Sequence, residues 1–413
     1  MILRARVVLP ISSPPIQDGA VIISGNRITQ VGAWKDFSAT NDVTDLGEVI
    51  LMPGLINAHC HLDYTDMAGL IPPQKSFTDW IRLMLATKSG WNYSEFAQSW
   101  IRGAQMLART GTTTVVDFET VPELLPDVWS ATPLRVFSLL EMTGVKSRRD
   151  PRAILMDNVN HILTLPGGRC RPGLAPHAPY STAPELLRLA ADMARQRHWP
   201  LSIHAAESIQ EFEMFMKGRG VMFDWLRRNE RDMSDCGERS PIKHLDRYGV
   251  LGENCLAVHV NYLAKGDARL LATRKTSVAH CPRSHAYFGH KNFPFNSLTK
   301  ANVNICLGTD SLATVYKKPR QIVELNMFAE LQAFAAKHSR VSPDRILRMA
   351  TMNGARALGM AGQTGEISEK ALADMIVIPY KGDAEDATEA AVHHKGEVVG
   401  SMIDGEWAIE PPR

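Results

Sequence analysis

The sequence predicts an α/β protein in which a (β/α)8 TIM barrel carries a small β-sandwich built from the two ends of the chain. Three observations lead to this prediction. The middle of the chain alternates strand-like and helix-like segments, eight such strands fit within about 250 residues, and both ends are rich in short β-runs. We expect the sandwich to comprise residues 1–53 and 362–413, and the barrel to comprise residues 54–361.

The terminal segments contain β-branched runs that are interrupted by Gly, Asn and Asp. Near the start of the chain these runs are ARVVLP, GAVIISGNRITQVG and EVILMPG. Near its end they are ADMIVIPY and EVVGSMIDGEWAI, the second of which contains an Asp-Gly pair typical of hairpin turns. Because these two β-segments bracket a long middle region, we expect them to fold together.

The middle region alternates between two patterns, which predicts βα units and a parallel sheet. Helix-like segments are SEFAQSWIRGAQMLARTG, TAPELLRLAADMARQRH and QIVELNMFAELQAFAAKH. A further helix is predicted in SPDRILRMATMNGARALG, which opens with an N-cap serine and a proline at the first helical position. The strands are predicted at residues 55–63, 112–118, 134–142, 171–177, 201–207, 255–262, 276–282 and 303–310.

The composition excludes several classes of protein. The 413 residues are 45% hydrophobic and 22% charged, and the net charge of +2 comes from scattered Lys and Arg, so we expect neither a nucleic-acid nor a membrane surface. No apolar run is long enough for a transmembrane helix or a signal peptide. The six cysteines form no CxxC motif, which indicates reduced thiols in a cytoplasmic protein.

The stretch PGLINAHCHLDY places two histidines, His59 and His61, around Cys60. Residues two apart in a strand face the same side, so both imidazoles can reach one metal ion, whereas Cys60 would face away from them. On this spacing alone, a metal site and a structural pair of histidines at a strand end are equally well supported.

The other predicted strand ends decide between these two interpretations. In a (β/α)8 barrel the active site lies at the carboxyl ends of the strands. A single histidine at such a position usually caps the end of a strand or fills space in the core. Burying many ionisable groups together, however, costs free energy unless they are paired or bind a metal. The groups expected at this mouth are six histidines and two carboxylates: His59, His61, His177, His204, His259, His280, Glu207 and Asp310.

A divalent ion accounts for this combination of imidazoles and carboxylates. Zinc is the first candidate, with iron and manganese as alternatives. Such an ion lowers the pKa of its water toward ~7 and so generates hydroxide at neutral pH. Glu207 would shuttle protons, His259 would orient the water or stabilise charge, and Asp310 would take the water proton in addition to binding the ion. The expected ligands are His59, His61, His204 and Asp310.

In chain order, PGLINAHCHLD, GTTTVVDF, APHAPYS, HAAE, AVHVNYL, SVAHCPRS and LGTDS resemble the motif series of the amidohydrolase superfamily. The likeness is to its deaminase and chlorohydrolase branch, which includes methylthioadenosine/S-adenosylhomocysteine and aminodeoxyfutalosine deaminases. The resemblance implies the same four metal ligands, a proton-shuttling Glu207, His259 on strand six and a substrate-contacting His177. It also implies a single ion, because RPGLAPHAPY lacks the strand-four lysine that bridges two ions in binuclear members.

The reaction expected from this resemblance is the hydrolytic deamination of an N-heterocycle, with an adenine nucleoside-type substrate favoured. Guanine, pterin or cytosine deamination, triazine-type dechlorination and cyclic-amide hydrolysis on the same scaffold remain alternatives. A non-catalytic scaffold is disfavoured, because the chain keeps every expected ligand together with Glu207 and His259. The expected partner is a small-molecule substrate, and a homo-oligomer remains open.

The substrate pocket is harder to derive from the sequence. In the loop after strand one, Phe77, Trp80, Ile81 and Met84 would form an apolar lid, although an ordinary amphipathic helix explains them equally well. The segment LATKSGW lacks the ribose-binding glutamate of methylthioadenosine deaminases, and Ser311 replaces the usual glycine after GTD. For Arg148 and Arg149 a solvated surface role is expected. The candidate substrate-binding residues are His177, Trp80, Glu141, Arg283 and Ser311.

Overall fold

Eight parallel strands form the central sheet, and they follow one another in chain order from β6 to β13. A computed structural model describes residues 1–37, 43–144 and 149–412. The barrel strands are β6 (Leu55–Cys60), β7 (Thr112–Glu119), β8 (Arg135–Met142), β9 (Arg171–Pro176), β10 (Leu201–Ala205), β11 (Cys255–His259), β12 (Ser277–His280) and β13 (Ile305–Leu307). A second sheet is formed by strands that come before and after the barrel strands in the chain. These strands are β1 (Ile2–Val8), β2 (Ile16–Ser24), β3 (Arg27–Ala33), β4 (Val43–Asp45), β5 (Val49–Pro53), β14 (Met375–Pro379), β15 (Gly400–Ile403) and β16 (Glu406–Ile409).

The barrel closes where its first strand meets the segment after its last. Cys60 forms a parallel bridge with Asp310, and the Asp310 amide donates a hydrogen bond of 3.0 Å to the His59 carbonyl. Each of the eight predicted barrel strands is present, although most of them end earlier than the sequence pattern does. The predicted (β/α)8 barrel is therefore confirmed.

The helices surround this sheet. In the described part of the chain, five short 3-10 helices accompany them, at Trp34–Asp36, Leu62–Met67, Pro122–Leu124, Leu312–Thr314 and Ala384–Asp386. The α-helices are α1 (Phe77–Ser89), α2 (Tyr93–Arg109), α3 (Leu125–Ser130), α4 (Pro151–Thr164), α5 (Pro184–Arg197), α6 (Ile209–Lys217), α7 (Val221–Arg228), α8 (Pro241–Arg247), α9 (Asp267–Thr273), α10 (Pro282–Tyr287), α11 (Phe295–Lys300), α12 (Met327–Lys337), α13 (Pro343–Met349), α14 (Met352–Ala357) and α15 (Ala387–Val392). Within the described ranges, none of these helices has the length and apolarity needed to cross a membrane.

The strands from the two chain ends fold together into a β-domain, as the sequence predicts, and they form one mixed eight-stranded sheet. Its order is β16-β15-β14-β5-β1-β2-β3, with β4 paired to β1. The Asp-Gly pair makes the turn between β15 and β16, and Asp404 and Gly405 both have positive φ, at 56° and 83°. Two central residues with positive φ match the right-handed twist of the strands in a tight hairpin. The domain boundaries at residues 53 and 362 stay a prediction.

Two helical segments differ from their predicted extents. The pattern that predicts one helix over residues 342–359 forms α13 and α14, which are separated at Thr351 by a non-helical backbone with φ −138° and ψ −99°. Helix α12 begins six residues later than the pattern suggests, because the Asn326 side chain accepts a hydrogen bond from the Ala329 amide and caps it there. Capping therefore overrides the apolar periodicity of residues 321–326.

Side chains fill the barrel interior. One buried cluster collects residues from successive strands, among them Ala58, Phe118, Leu139, Val258 and Ala279. A larger cluster lies between the strands and the surrounding helices. This packing fixes the strand ends rigidly, and the candidate site is built on those ends.

Candidate metal centre and substrate cavity

A β-bulge in β6 aims both histidines of the HxH pair into the barrel mouth. The register against β7 shifts between Asn57 and Cys60, so that one extra residue is inserted. Ala58 packs in the barrel interior, whereas Cys60, two residues later, packs in the outer cluster. In a regular strand Ala58 and Cys60 would lie on the same side of the sheet. The bulge places them on opposite sides, and bulges are common next to functional sites. His59 and His61 thereby point inward and Cys60 points away from them.

The imidazoles of β6 meet that of β10. The Nε2 atoms of His61 and His204 are 3.4 Å apart, and their rings lie nearly parallel, with an interplanar angle of 4°. Two nitrogens that are each about 2.0–2.1 Å from one tetrahedral ion have about this separation. The Nδ1 of His204 is 2.8 Å from the His177 carbonyl oxygen, to which it can only donate. The lone pair of His204 is therefore on Nε2 and faces the His61 ring.

Asp310 completes this group from the segment after β13. Its Oδ1 lies 3.6 Å from His59 Nε2 and 3.8 Å from His61 Nε2. The carboxylate also accepts hydrogen bonds from the Ser284 hydroxyl at 2.6 Å and the Ser311 amide at 2.8 Å. Burial raises the pKa of Asp310, but attraction to the nearby rings of His59, His259 and His61 lowers it well below its ordinary value. Asp310 is thus an ionised carboxylate that is held in one orientation.

The unpaired atoms in this group fit a divalent cation. Both ring nitrogens of His59 and the Nδ1 of His61 are buried without a hydrogen-bond partner among the described residues. Potential ligand atoms approach one another within 4.8 Å in overlapping sets that join His59, His61, His204, His259 and Asp310. Leaving several buried imidazoles and a carboxylate this close is costly unless an ion binds them. The donor set of nitrogen and oxygen suits zinc, iron or manganese.

Glu207 and His259 lie beside the proposed ligands. The Nε2 of His259 is 3.5 Å from Oε1 of Glu207. The backbone at Glu207 is held by Glu211, which accepts hydrogen bonds from the Ala206 and Glu207 amides, and by Asn261, whose side chain donates to the Glu207 carbonyl. Burial raises the pKa of Glu207 well above its ordinary value, and the charges of Asp310 and Glu211 raise it further. This carboxyl group can therefore carry a proton.

Unusual backbone conformations concentrate around this group. Ala206, His259, Val260 and Asp310 all have positive φ, at 50°, 72°, 48° and 56°. Such values are uncommon for residues with a Cβ, and least expected for a β-branched residue such as valine. They persist only where the surrounding structure enforces them, and they cluster at functional sites.

A cavity of about 220 Å³ opens onto this group from the barrel mouth. It is lined by most of the residues that the sequence predicts as substrate contacts, namely His177, Trp80, Glu141 and Ser311, and also by Phe77, Ile81 and Met84 of α1. The Nδ1 of His177 lies 2.6 Å from the Ser181 hydroxyl, and burial lowers the pKa of His177 to about 3. The lid interpretation of α1 therefore agrees with the position of its apolar face.

Several residues that line the cavity are not among the substrate contacts predicted from the sequence. Tyr64, Lys88, Thr143, Tyr180 and Trp225 all face the same cavity. Tyr64 could have been found, because it follows the HxH motif by three residues and stacks on His61 with ring centroids 5.3 Å apart. The others lie on loops and helices whose approach to the mouth depends on tertiary packing.

His280 does not join the other histidines, contrary to the prediction. Ala279 and Cys281 both belong to the barrel interior, so alternation along β12 turns His280 outward. Its ring stacks on Phe293 with centroids 3.8 Å apart and lines a separate cavity together with His285.

Arg283 also lies apart from the mouth. Its guanidinium pairs with the buried carboxylate of Glu330 and donates to the Glu324 carbonyl, and it does not line the cavity. We therefore leave Arg283 out of the proposed site. Arg149 is exposed and lies 3.5 Å from Asp157, and Arg148 lies outside the described residues.

The sequence profile of the amidohydrolase family matches residues 50–408, which is most of the chain. This chain belongs to the amidohydrolase family. Among the relatives of this amidohydrolase is a 5-methylthioadenosine/S-adenosylhomocysteine deaminase of Syntrophobacter fumaroxidans, 29% identical over 387 residues that cover 88% of this chain and 80% of the relative. The resemblance inferred from the motif series is confirmed.

Solved structures share the fold of this amidohydrolase. A zinc-bound adenosine deaminase of Xanthomonas campestris superposes with a TM-score of 0.84 at 23% identity, covering 99% of this chain and 92% of the other. An aminofutalosine deaminase of Helicobacter pylori, in complex with methylthio-coformycin, gives a TM-score of 0.86 at 20% identity, covering 99% and 100%. At these identities the likeness extends to the barrel and its terminal sheet.

Proposed function

We propose that this protein is a metal-dependent hydrolytic deaminase that acts on an adenine nucleoside-type substrate. The observation that carries the proposal is the position of the buried Glu207–His259 pair beside the group formed by His59, His61, His204 and Asp310. The sequence relative named as a methylthioadenosine/S-adenosylhomocysteine deaminase supports the choice of substrate class.

The proposed metal ligands are His59, His61, His204 and Asp310, and we propose one ion, with zinc first among the candidates. The zinc named with the adenosine deaminase of the same fold supports this choice. When bound, a divalent ion would activate a water molecule for attack at neutral pH. The chain itself contributes a fixed set of donors, since His204 is held by the His177 carbonyl and Asp310 by Ser284.

Glu207 would move the protons of the reaction. Its carboxyl group gives a proton to the ring nitrogen while the water oxygen bonds to the carbon that carries the amino group. One proton of the water then passes through Glu207 to the amine, and the second, which is lost as the carbonyl forms, returns to Glu207 and restores its carboxyl group. The carbon–nitrogen bond breaks, ammonia leaves, and a carbonyl group remains on the ring. His259, 3.5 Å from Glu207, would orient the water, and Asp310 would assist in accepting its proton.

The cavity wall would hold the rest of the substrate. Trp80 and Tyr180 offer aromatic surface for a planar base. The Glu141 carboxylate, which forms no hydrogen bond within the described part of the chain, would accept hydrogen bonds from substrate hydroxyl groups. His177 and Ser311 would contact the base near the reacting carbon, since both line the cavity beside the metal ligands.

Release of ammonia tests the proposal directly. We expect zinc-loaded protein to release ammonia from adenine nucleosides that differ at the 5′ position, with guanine, cytosine, pterins and chlorinated triazines as comparison compounds. Chloride release from a triazine without ammonia release from any nucleoside would contradict the proposal.

Metal content tests the proposed ligands separately. His61→Ala should lower the bound metal per chain several-fold, because it removes one of four ligands. His393→Gln, at an exposed surface position, serves as the control and should retain the metal content of the unmodified protein. Equal metal content in both variants would remove His61 from the ligand set.

A further inference from the structure

A buried ion pair lies one residue away from the hydroxyl group that holds Asp310. Glu330, in the first turn of α12, is fully buried, and its carboxylate accepts hydrogen bonds from the side chain and from the backbone amide of Arg283. Within the described chain neither residue lines the cavity, so the proposed reaction gives this pair no role. A buried ion pair is by itself weak evidence for a stabilising role, because both charges must lose their water.

The pair fixes the start of α10. The first amides of a helix have no partner within the helix, and the N-cap residue Cys281 makes no capping hydrogen bond within the described ranges. Glu330 supplies this partner to the Arg283 amide at 2.9 Å, although it lies 47 residues further along the chain. The Arg283 guanidinium also donates a hydrogen bond of 3.0 Å to the Glu324 carbonyl, in the segment before α12. Three hydrogen bonds at Arg283 therefore hold the first turn of α10 against α12 and the segment before it.

The next residue, Ser284, carries this restraint to the proposed metal centre. Its buried hydroxyl donates a hydrogen bond of 2.6 Å to Oδ2 of Asp310, and the Thr314 hydroxyl lies 3.3 Å from the same oxygen. The other carboxylate oxygen, Oδ1, lies 3.6 Å from Nε2 of His59. Ser284 thus engages one oxygen of the carboxylate while the other oxygen faces the histidines.

From these contacts we infer that Glu330 and Arg283 are positioning residues for the metal centre, and that they act through Ser284 on the carboxylate of Asp310. This inference rests on the proposed function, because it takes Asp310 as a ligand of the ion. A partner that orients a ligand strengthens metal binding, because the ligand has less freedom to lose when the ion binds. A shift of α10 would move the Ser284 hydroxyl and free the Asp310 side chain to rotate.

The affinity for zinc, measured by competition with a chelator on metal-depleted protein, tests the inference. We expect Ser284→Ala to raise the zinc dissociation constant by about tenfold to a hundredfold, the range typical of groups that orient a metal ligand. Glu330→Gln should change it in the same direction, because the amide retains only part of the contact with Arg283. Ser284→Ala removes a single oxygen atom, so it provides the test if Glu330→Gln does not fold.

A control variant and a double variant separate positioning from a general loosening of the fold. Asp344→Asn breaks an exposed pair with Arg348 on α13, and it should retain the zinc affinity of the unmodified protein. If Glu330 acts through the Ser284 hydroxyl, adding Glu330→Gln to Ser284→Ala should weaken zinc binding little further. Effects that multiply in the double variant would overturn the inference, because the two residues would then act independently.

The visible absorption of bound Co²⁺ provides a second readout, since it reports the arrangement of ligands around the ion. We expect the spectrum to change in Ser284→Ala and in Glu330→Gln, and to stay the same in Asp344→Asn. A spectrum that is identical in all of these proteins would contradict a positioning role, whatever the thermal unfolding midpoints of the variants.

Ammonia release, measured on the same preparations, distinguishes failure of the inference from failure of the proposed function. Unchanged zinc affinity in both single variants would overturn the inference and leave the function intact. Zinc binding that weakens as expected in the variants, without ammonia release from any nucleoside by the unmodified protein, would support the inference and overturn the function. No zinc binding by the unmodified protein would overturn both.

Discussion

Two buried ionisable residues illustrate how position alone changes chemistry at the residue scale. Glu207 lies 3.5 Å from His259 beside the proposed metal ligands, where we propose that its carboxyl group exchanges protons with a substrate. His244 is equally buried but lies between Phe215 and Tyr248, with its Nε2 3.6 Å from the Asp235 carboxylate. The first residue is therefore expected to act in catalysis and the second in stability.

Glu207→Gln should reduce turnover by at least about a hundredfold, because the amide cannot shuttle a proton. Metal content should stay unchanged, since Glu207 is not among the proposed ligands. Steady-state kinetics and metal analysis on the same preparation provide the measurement. Glu213→Gln, on the exposed side of α6, is the control and should behave as the unmodified protein. Unchanged turnover in Glu207→Gln would remove this residue from the mechanism.

His244 should make the protein less stable in acid. Burial lowers the pKa of His244 to about 4, whereas an unfolded chain has a histidine pKa of about 6.5. Between these values the unfolded state binds a proton that the folded state does not, so stability falls as the pH falls from 6.5 toward 4. From pH 7.5 to 5 this single group should cost about 2 kcal/mol.

Denaturant unfolding at the two pH values measures this effect. His244→Gln lacks the titrating group, so its free energy of unfolding should fall by about 2 kcal/mol less than that of the unmodified protein over the same interval. The comparison between the two proteins cancels the contributions of the other buried histidines. An identical fall in both would contradict the assignment.

At the scale of secondary-structure elements, the site depends on the close approach of β6 and β13. Gly308 follows β13, and a Cβ built on it would lie 2.7 Å from both the nitrogen and the oxygen of His59. Glycine permits this approach because it has no Cβ, and the approach brings the Asp310 amide within 3.0 Å of the His59 carbonyl. The bulge in β6 acts with this contact to direct His59 and His61 into the mouth.

Gly308→Ala should therefore move the proposed ligands apart. We expect lower metal content, lower turnover and a lower thermal unfolding midpoint, because the backbone of β6 must shift to accommodate the methyl group. Gly167→Ala is the matched control, since a Cβ there meets nothing within 4 Å. Indistinguishable metal content in the two variants would show that the β6–β13 approach does not determine the site.

At the scale of the whole molecule, a buried ion pair joins the barrel to the terminal sheet. Arg135 begins β8, and Asp374 immediately precedes β14. Two of the guanidinium nitrogens lie 3.2 Å and 3.4 Å from the carboxylate oxygens, and the side chains are only 5% and 0% exposed. Asp374 also accepts a hydrogen bond from the amide of Asp404, which lies in the turn between β15 and β16.

Arg135→Leu should destabilise the fold by about 3 kcal/mol, because it leaves a buried carboxylate without its cation. The exposed pair of Arg274 and Asp246 provides a comparison, and Arg274→Leu should leave the free energy of unfolding nearly unchanged. Denaturant unfolding of both variants measures the difference. Equal destabilisation would show that the ion pair does not strengthen the connection between barrel and sheet.

The sequence by itself determined the barrel, the terminal sheet and the positions of the candidate ligands along the chain. This was possible because strand and helix periodicities are local, and because a parallel barrel brings all carboxyl strand ends to one face. His59, His61, His204 and Asp310 could therefore be grouped although they are far apart in sequence. The family motifs reinforced this grouping, since they fall on the same strand ends.

Only the tertiary structure decided which strand-end side chains face inward and what lines the cavity. A one-residue bulge turns His59 and His61 inward, whereas regular alternation turns His280 outward, and the local pattern does not tell which side of each strand faces the mouth. Arg283 pairs with Glu330, which lies 47 residues away. Lys88 reaches the cavity because α1 packs over the mouth. These outcomes depend on contacts between distant segments, which form only when the whole chain packs.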